Sequence, residues 1–296
     1  MDVIKEIESY LTKGDLVSAE QGLNALPEVP IQSKLYYKAL IAFKRDDYDQ
    51  AIQLIEEGLK QDSEDYRWHE LLGQARGLKA QRVGMLKGAL LIPKVKKSFQ
   101  KAIELNPQAL KAHEGLFLLY LLVPAMAGGD EQKAQEIIEE IRSINSSHGD
   151  MAAAIFQARK NALPEALRLF KKAADTGRDD PEIQLRAGRF FMEQGHFDMA
   201  RECLDRCAAL CSADPGNWLA LAELYLKSGE LEKALHTLNQ IIVDHENFIP
   251  ARLKRAEACM ALNRQDDARA DYEWICSNHP QSPLAAKARE FLHKLK

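Results

Sequence analysis

The chain has 296 residues, of which 46% are apolar and 28% charged, and its formal net charge is −4. This balance excludes wholesale disorder, and the weakly acidic charge gives no general attraction to nucleic acid or anionic membranes. Only 16 glycines and 11 prolines interrupt long stretches rich in Ala, Leu, Glu, Lys and Gln, which favours helix almost throughout and excludes most all-β architectures.

The N-terminal segment MDVIKEIESYLTKG lacks the basic and apolar regions of a secretory signal. The longest apolar run, residues 116–123, is too short to span a bilayer. An odd number of cysteines without a signal indicates reduced thiols, so we predict a cytoplasmic protein. The cysteines are Cys203, Cys207, Cys211, Cys259 and Cys276.

Four helical hairpins are predicted before residue 148, from small and apolar residues at helix-packing spacings. The first is marked by Tyr10, Gly14, Ala19 and Leu23, and the second by Ala39, Ala51 and Ile55. The third, marked by Gly73, Phe99, Ala102 and Pro107, contains the long insertion GLKAQRVGMLKGALLIPK. The fourth, marked by His113, Leu116, Tyr120, Ala134 and Ile141, has a shorter insertion of about five residues between its two helices.

From residue 148 onwards the chain repeats every 34 residues. Three columns share one register: Ala166, Ala200, Ala234 and Ala268; Phe170, Leu204, Leu238 and Tyr272; and Ala154, Gly188, Ala222 and Ala256. A small residue is needed where two helices cross closely, and a large apolar residue fills the adjacent groove. The columns therefore predict stacked helical hairpins.

The segment from Trp218 carries one full unit of the repeat. Its first helix holds Trp218, Leu221, Ala222 and Tyr225, Gly229 lies in the turn, and Ala234 and Leu238 follow on the second helix. This resembles the tetratricopeptide repeat, whose pattern is W-x2-L-G-x2-Y, then A-x3-F, then P. Pro280 matches the final P of the last repeat.

The predicted fold class is all-α, a right-handed α-solenoid of about eight such hairpins with a C-terminal capping helix. The hairpins begin near residues 1, 33, 66, 110, 148, 182, 216 and 250. Irregular repeats occupy residues 1–147 and regular ones residues 148–296, in one continuous solenoid. The capping helix begins at Ser282 and Pro283, and covers the last repeat with Leu284, Ala288, Phe291 and Leu295.

Motifs for catalysis, cofactors or metals are weak. Gly128 and Gly129 precede Asp130, which repels phosphate and suits a helix N-cap, so a turn is favoured over a phosphate loop. His69-Glu70 lacks the second histidine of a zinc-protease helix. Cys203, Cys207 and Cys211 share one helix face and suit core packing better than zinc, and Cys276-x2-His279 has no companion pair. We predict no catalytic, cofactor or metal site and no enzyme.

The resemblance implies that first helices line a concave groove that binds partner segments. We predict that eight side chains line it: Tyr36, Leu40, Gln74, Leu118, Met151, Ile155, Arg189 and Glu223. The predicted row also takes in Glu8 and Glu257 at its two ends, and it has no lysine or asparagine, which the family's chaperone-tail binders use for a C-terminal carboxylate. Its apolar middle suits an amphipathic helix or hydrophobic segment, although Leu118 and Ile155 fit the core equally well.

A basic stretch coincides with the longest insertion. Residues 71–103 contain eight basic residues and no acid. The candidates for a basic patch are Lys79, Arg82, Lys87, Lys94, Lys96 and Lys97. Such a patch can attract an acidic protein, an anionic lipid surface or RNA, although Glu136, Glu139 and Glu140 are expected to neutralise part of it and no aromatic cluster accompanies it.

The predicted function is a protein-interaction adaptor, with the insertions of the third and fourth repeats forming loops that add a second contact region. Two alternatives stay open at this stage. One is a nucleic-acid or membrane-surface binder that acts through the basic patch. The other is an enzyme or a regulatory subunit of an enzyme, with a site assembled from distant residues.

Overall fold

The computed structural model describes residues 2–13, 15–25 and 30–294, and these form helices joined by short turns. In unit order the first ten helices are α1 Asp2–Lys13, α2 Leu16–Ala25, α3 Ile31–Lys44, α4 Tyr48–Gln61, α5 Tyr66–Arg82, α6 Met85–Leu105, α7 Leu110–Leu122, α8 Glu131–Ile144, α9 Ser146–Arg159 and α10 Leu163–Thr176. The remaining seven are α11 Pro181–Glu193, α12 Phe197–Leu210, α13 Pro215–Ser228, α14 Leu231–Asp244, α15 Ile249–Ala261, α16 Gln265–Asn278 and α17 Pro283–Lys294. Gly14 and Leu295, assigned above to the first hairpin and the capping helix, lie outside the described residues.

These helices pair into hairpins in chain order, from α1 with α2 to α15 with α16, and α17 packs on α16 as the cap. The first helices of the eight hairpins begin within two residues of the predicted starts. The predicted fold class, an all-α solenoid of TPR-like hairpins, is confirmed.

The hairpins fall into two compact units, residues 1–177 and 178–296. Unit 1 contains five hairpins and unit 2 contains three hairpins and the cap, counted over the described residues. The change in repeat regularity predicted at residue 148 lies inside unit 1, and it stays a prediction.

The small-residue columns lie in the core of each unit. Ala166, Ala200, Ala234 and Ala268 are all 0% exposed. At Gly188 an added Cβ would lie 2.7 Å from Cγ of Leu204 on the paired helix, so the crossing has no room for a larger residue. Close approach of the two helices is therefore written into the 34-residue register.

Helix starts follow a repeated local signal. Asp180 and Asp214 accept hydrogen bonds from the backbone N–H groups of Glu182 and Gly216, at 2.9 and 2.8 Å, and a proline follows each aspartate as the first helical residue. The side chain satisfies an N–H group that the helix leaves unpaired, and proline has no N–H to lose.

The turn inside each regular hairpin contains one residue with a positive φ. These residues are Asn161, Gly195, Gly229 and Asn263, spaced 34 apart, with φ of 58°, 78°, 81° and 59°. Glycine and asparagine tolerate the left-handed region better than other residues. The sequence analysis noticed only Gly229 of this set.

First helices of neighbouring hairpins pack directly on one another. Within unit 1, α3 contacts α5, α5 contacts α7 and α7 contacts α9; within unit 2, α11, α13, α15 and α17 make the same succession of contacts. Second helices of successive hairpins contact each other little in the described residues. The first helices therefore form the inner, more closely spaced side of each stack.

The insertion in the third hairpin is helical, which corrects the loop predicted there. It lengthens α5 to 17 residues and α6 to 21, and only Val83 and Gly84 separate the two helices. No helix in the described part of the chain, including α6, is long and apolar enough to cross a membrane.

The fourth hairpin has the long turn that was predicted. A short 3₁₀ helix, Ala125–Ala127, follows Pro124, and Gly128 has a φ of 107°. Asp130 then caps α8 by accepting a hydrogen bond from the N–H of Lys133 at 3.1 Å. The glycine pair forms a turn, as predicted.

The positive φ at Gly229 predicts the stability of two turn variants. We expect Gly229→Ala to lower the free energy of unfolding by about 1 kcal/mol, because alanine is strained in the left-handed region. No atom lies within 4 Å of an added Cβ in the described structure, so strain is the only cost. Urea unfolding followed by circular dichroism measures it.

Asn263→Gly in the next turn is the matched control, and we expect it to change stability by less than about 0.5 kcal/mol. Equal losses in the two variants would contradict the assigned turn geometry.

Candidate functional site

The predicted groove residues of unit 1 lie on successive first helices. Tyr36 and Leu40 are on α3, Gln74 on α5, Leu118 on α7 and Ile155 on α9, and each is half-buried. Their outer atoms remain accessible while the rest packs on the core. We call these five residues the inner row; whether it binds a partner stays a prediction.

Met151 does not belong to the inner row, which corrects the sequence analysis. Its side chain is 1% exposed and lies among the largest fully buried side chains. A residue one turn before Ile155 on α9 is directed into the core by the crossing with the neighbouring helices. Met151 therefore contributes packing and offers no surface to a partner.

Tyr36 has contacts that hold it in place. Its ring lies edge-on to Trp68, with centroids 5.2 Å apart, and the guanidinium of Arg67 lies 5.1 Å from its centroid. The three side chains line a small cavity of about 100 Å³. Burial raises the pKa of Tyr36 to about 12, so its hydroxyl stays protonated at neutral pH.

The start of α7 is capped by a side chain from the preceding hairpin. Ala109, the residue before α7, has no side-chain acceptor, and Glu70 on α5 accepts a hydrogen bond from the N–H of Ala112 at 3.1 Å. Burial raises the pKa of the Glu70 carboxyl, and this hydrogen bond partly offsets the shift. A carboxylate at a helix N-terminus is favoured by unpaired N–H groups and by the helix dipole.

A second carboxylate joins α7 to α9. Oε1 of Glu114 lies 2.6 Å from Nδ1 of His148, and its Oε2 accepts a hydrogen bond from Lys111 at 2.9 Å. The side chains of Glu114 and His148 are 8% and 3% exposed. A carboxylate between an imidazole and an ammonium group is well satisfied, so this buried contact fixes the two first helices against each other.

A third carboxylate lies two residues after His148. Asp150 is 2% exposed; it lies 2.9 Å from Nζ of Lys172 on α10 and 3.5 Å from Nε of Arg142 on α8. With Glu70, Lys111, Glu114 and His148 it forms what we call the polar network. The network links the third, fourth and fifth hairpins beside the inner row.

The polar network holds the groups that general acid–base chemistry requires, but their burial decides their role. A carboxylate and an imidazole with under a tenth of their surface exposed are out of reach of a substrate. We therefore interpret the network as structural. The sequence analysis missed it because its members come from three hairpins, and only Glu70 appeared there, as part of a rejected motif.

In unit 2 the corresponding charges neutralise one another. Glu223 on α13 lies 3.7 Å from Lys254 on α15, Lys254 lies 2.9 Å from Glu257, and Glu257 lies 3.1 Å from Lys287 on α17. Burial opposes ionisation of Glu257, but hydrogen bonds from the two lysines lower its pKa overall. Arg189 on α11 is exposed.

The six candidates for a basic patch divide into two sets. Lys79 pairs with Asp49, Arg82 lies 2.8 Å from Asp46, and Lys96 lies 5.1 Å from the ring centroid of Tyr120. Lys87, Lys94 and Lys97 are exposed and have no ion-pair partner among the described residues.

The acids expected to neutralise the patch act elsewhere. Glu136 accepts a hydrogen bond from Gln132, Glu139 pairs with Arg142, and Glu140 lies 3.4 Å from His113. The acids that pair with the basic stretch come instead from the second hairpin and its turn.

The candidate metal ligands are packing residues. Cys203, Cys207 and Cys211 are 4%, 1% and 7% exposed, at one end of the core of unit 2. Burial raises the pKa of the Cys207 thiol to about 12. His69 lies 2.9 Å from the carbonyl oxygen of Ser63, at the start of its own hairpin. Cys276 is half-buried against α17.

Thiol burial predicts an order of reactivity. We expect a maleimide reagent to modify Cys276 first in the folded protein and to leave Cys207 unmodified at neutral pH, because only a thiolate attacks and burial disfavours it. Peptide mass spectrometry at timed intervals identifies the modified residue. Modification of Cys207 at the rate of Cys276 would contradict the packing, and modification in urea serves as the control.

Removal of the central carboxylate predicts a large loss of stability. We expect Glu114→Ala to lower the free energy of unfolding by about 2–4 kcal/mol, because His148 and Lys111 lose their shared acceptor. Trp68 is the single tryptophan of unit 1, so its fluorescence in a background lacking Trp218 and Trp274 reports unit 1 alone.

Glu139→Ala removes an exposed ion pair from α8 and is the matched control, with an expected change below about 1 kcal/mol. Similar effects of the two substitutions would show that the buried contact contributes no more than a surface pair.

Comparisons with known proteins agree with the helical-repeat architecture. A family model described as tetratricopeptide repeat matches residues 36–76, and one described as ChAPs (Chs5p-Arf1p-binding proteins) matches residues 118–257. No curated protein matches the chain.

Solved structures show the same fold at low sequence identity. The human IFIT1 dimer with m7Gppp-AAAA has a TM-score of 0.63 and 18% identity, over 97% of this chain and 70% of that one. Yeast Tom70 has a TM-score of 0.52 and 15% identity, over 90% of this chain and 64% of that one. Together with the 34-residue register and the stacked hairpins, these matches identify the chain as a tetratricopeptide-repeat protein.

Proposed function

We propose that the protein is an interaction adaptor that binds an amphipathic or hydrophobic segment of a partner protein along the inner row of unit 1. The observation that carries the proposal is the arrangement of Tyr36, Leu40, Gln74, Leu118 and Ile155 on first helices that pack side by side. Side chains in such a row present one contact per hairpin to an elongated ligand.

The chemistry of the row favours an apolar segment over a charged one. Four of its five members are apolar or aromatic, and all five are half-buried, so each presents part of its surface on a packed base. The polar network beside the row holds α5, α7 and α9 in fixed positions. A surface ordered before binding loses less entropy when a ligand docks.

Residues Arg189 and Glu223 of unit 2 make a different contribution. Arg189 is exposed, whereas Glu223 is already within 3.7 Å of Lys254. A charged partner segment would have to replace that contact, so we assign the apolar selectivity to unit 1 and leave a polar role to unit 2.

A protein partner agrees with the family matches. The description of the ChAPs model is of proteins that bind other proteins, and it covers residues 118–257, which include Leu118 and Ile155. The likeness to IFIT1 with m7Gppp-AAAA is a likeness of fold at 18% identity. It gives no support for RNA as the ligand of the inner row.

Affinity capture with inner-row variants tests the proposal. We expect the triple variant Gln74→Arg, Leu118→Gln and Ile155→Gln to retain less than a tenth of the partner held by the unmodified chain, because polar groups replace the apolar surface. Tyr36 is left intact, since its packing on Trp68 would confuse loss of binding with loss of fold. Quantitative mass spectrometry of captured proteins is the measurement.

The triple variant Gln135→Arg, Val243→Gln and Lys171→Gln changes exposed residues on second helices and is the control. Circular dichroism confirms that both variants fold. Unchanged capture by the folded inner-row variant would disprove the proposed site.

A further inference from the structure

The loop end of the third hairpin carries two leucines with almost nothing packed on them. Leu86 and Leu90 are 85% and 75% exposed, although most large apolar side chains in the described structure are buried. They lie four residues apart on α6 and therefore on the same face of the helix. Val95 and Phe99, each 3% exposed, occupy the opposite face and pack in the core.

Lysines surround the two leucines. Lys94 and Lys97 follow on the same outer face of α6, and Lys87 lies beside Leu86. All three are exposed and have no ion-pair partner among the described residues. The outer face of α6 therefore combines apolar side chains at its beginning with unneutralised positive charge along its length.

The hairpin is also longer and narrower at this end than its neighbours. At 1.5 Å per residue, the 21 residues of α6 make it about 10 Å longer than a 14-residue helix such as α4 or α8. Near the turn, a Cβ added to Gly88 would lie 2.4 Å from the carbonyl oxygen of Ala80. The two helices are therefore in close backbone contact, which makes this end thin.

We propose that this end of the hairpin, residues 77–98, docks on an anionic lipid bilayer. Leu86 and Leu90 enter the interfacial layer between headgroups and acyl chains, and Lys87, Lys94 and Lys97 contact the lipid phosphates. Surface-bound amphipathic helices combine apolar and basic side chains in this way, and each lysine near an anionic surface strengthens binding several-fold. The helices rest on the membrane and do not cross it.

Other occupants fit this surface less well. A peptide needs a groove, and the outer face of a single helix at the end of a thin hairpin is convex. Single-stranded nucleic acid needs aromatic side chains for base stacking, and residues 77–98 contain none. Lipid is the partner for which a convex surface with outward leucines is suited.

Vesicle binding tests the proposal. The probe is a set of vesicles of phosphatidylcholine with 30% phosphatidylserine, and the readout is co-sedimentation of the full chain at low salt. We expect binding to these vesicles and at least 10-fold weaker binding to pure phosphatidylcholine, because the lysines need anionic headgroups. Absence of binding to the anionic vesicles would overturn the proposal.

Two variants separate the apolar from the basic contribution. We expect Leu86→Ser with Leu90→Ser to weaken binding at least 10-fold, and Lys87→Glu, Lys94→Glu and Lys97→Glu together to weaken it at least 100-fold. All five residues are exposed, so both variants are expected to fold. Unchanged binding by the leucine variant would overturn the proposed insertion, and an RNA or acidic-peptide ligand would then be indicated if only the lysines mattered.

Matched controls carry the same changes elsewhere. Ile31→Ser with Val243→Ser removes two exposed apolar side chains, and Lys38→Glu, Lys171→Glu and Lys227→Glu make the same change in net charge. We expect both to bind vesicles like the unmodified chain. Equal loss in the charge control would show a general electrostatic effect and overturn the assignment to residues 77–98.

The membrane proposal is independent of the proposed adaptor function. The inner-row variant Gln74→Arg, Leu118→Gln and Ile155→Gln leaves residues 77–98 unchanged apart from its neighbourhood on α5, and we expect it to bind vesicles normally. The leucine variant is expected to capture the protein partner normally. Each pair of measurements therefore fails separately.

Discussion

Close approach between paired helices is the constraint on which the rest of the structure depends. Alanine or glycine at each crossing lets the helices of a hairpin approach until large apolar residues such as Leu204 fill the space between them. A hairpin alone cannot bury these residues, so neighbouring hairpins must stack. Stacking in turn places first helix against first helix and produces the row of half-buried side chains. The candidate binding surface is therefore a consequence of a packing rule that repeats every 34 residues.

The polar network gives unit 1 a specificity that apolar packing cannot supply. Glu70 is accepted only where α7 begins, and Glu114 reaches His148 in only one register of α7 against α9. Apolar surfaces tolerate small shifts, whereas a buried carboxylate that misses its donors is costly. Unit 2 uses a half-buried ladder of alternating charge at the equivalent place. The two units thus hold their first helices together by different chemistry.

Repeats and turns were predictable from sequence because they depend on local residue types at a fixed spacing. The hairpin starts, the buried columns and the capping role of Asp130 all follow from signals within one repeat. Two features required three-dimensional contacts. Met151 has the same apolar character as Ile155, and only the helix crossing shows that the first is buried. The insertion after Gly77 contains glycine and proline, which suggested a loop, yet the close contact of Gly88 with Ala80 allows the two helices to continue through it.

Site-specific photocrosslinking in the native host tests the central claim, that unit 1 binds a partner protein along its inner row. A photoreactive amino acid is placed at Gln74 or Leu118 on the inner row, and at Gln135 or Lys171 on exposed second-helix positions. The account predicts one or a few crosslinked species of defined mass from the inner positions and none of them from the outer positions. The same species from all four positions, or species from the outer positions alone, would contradict it.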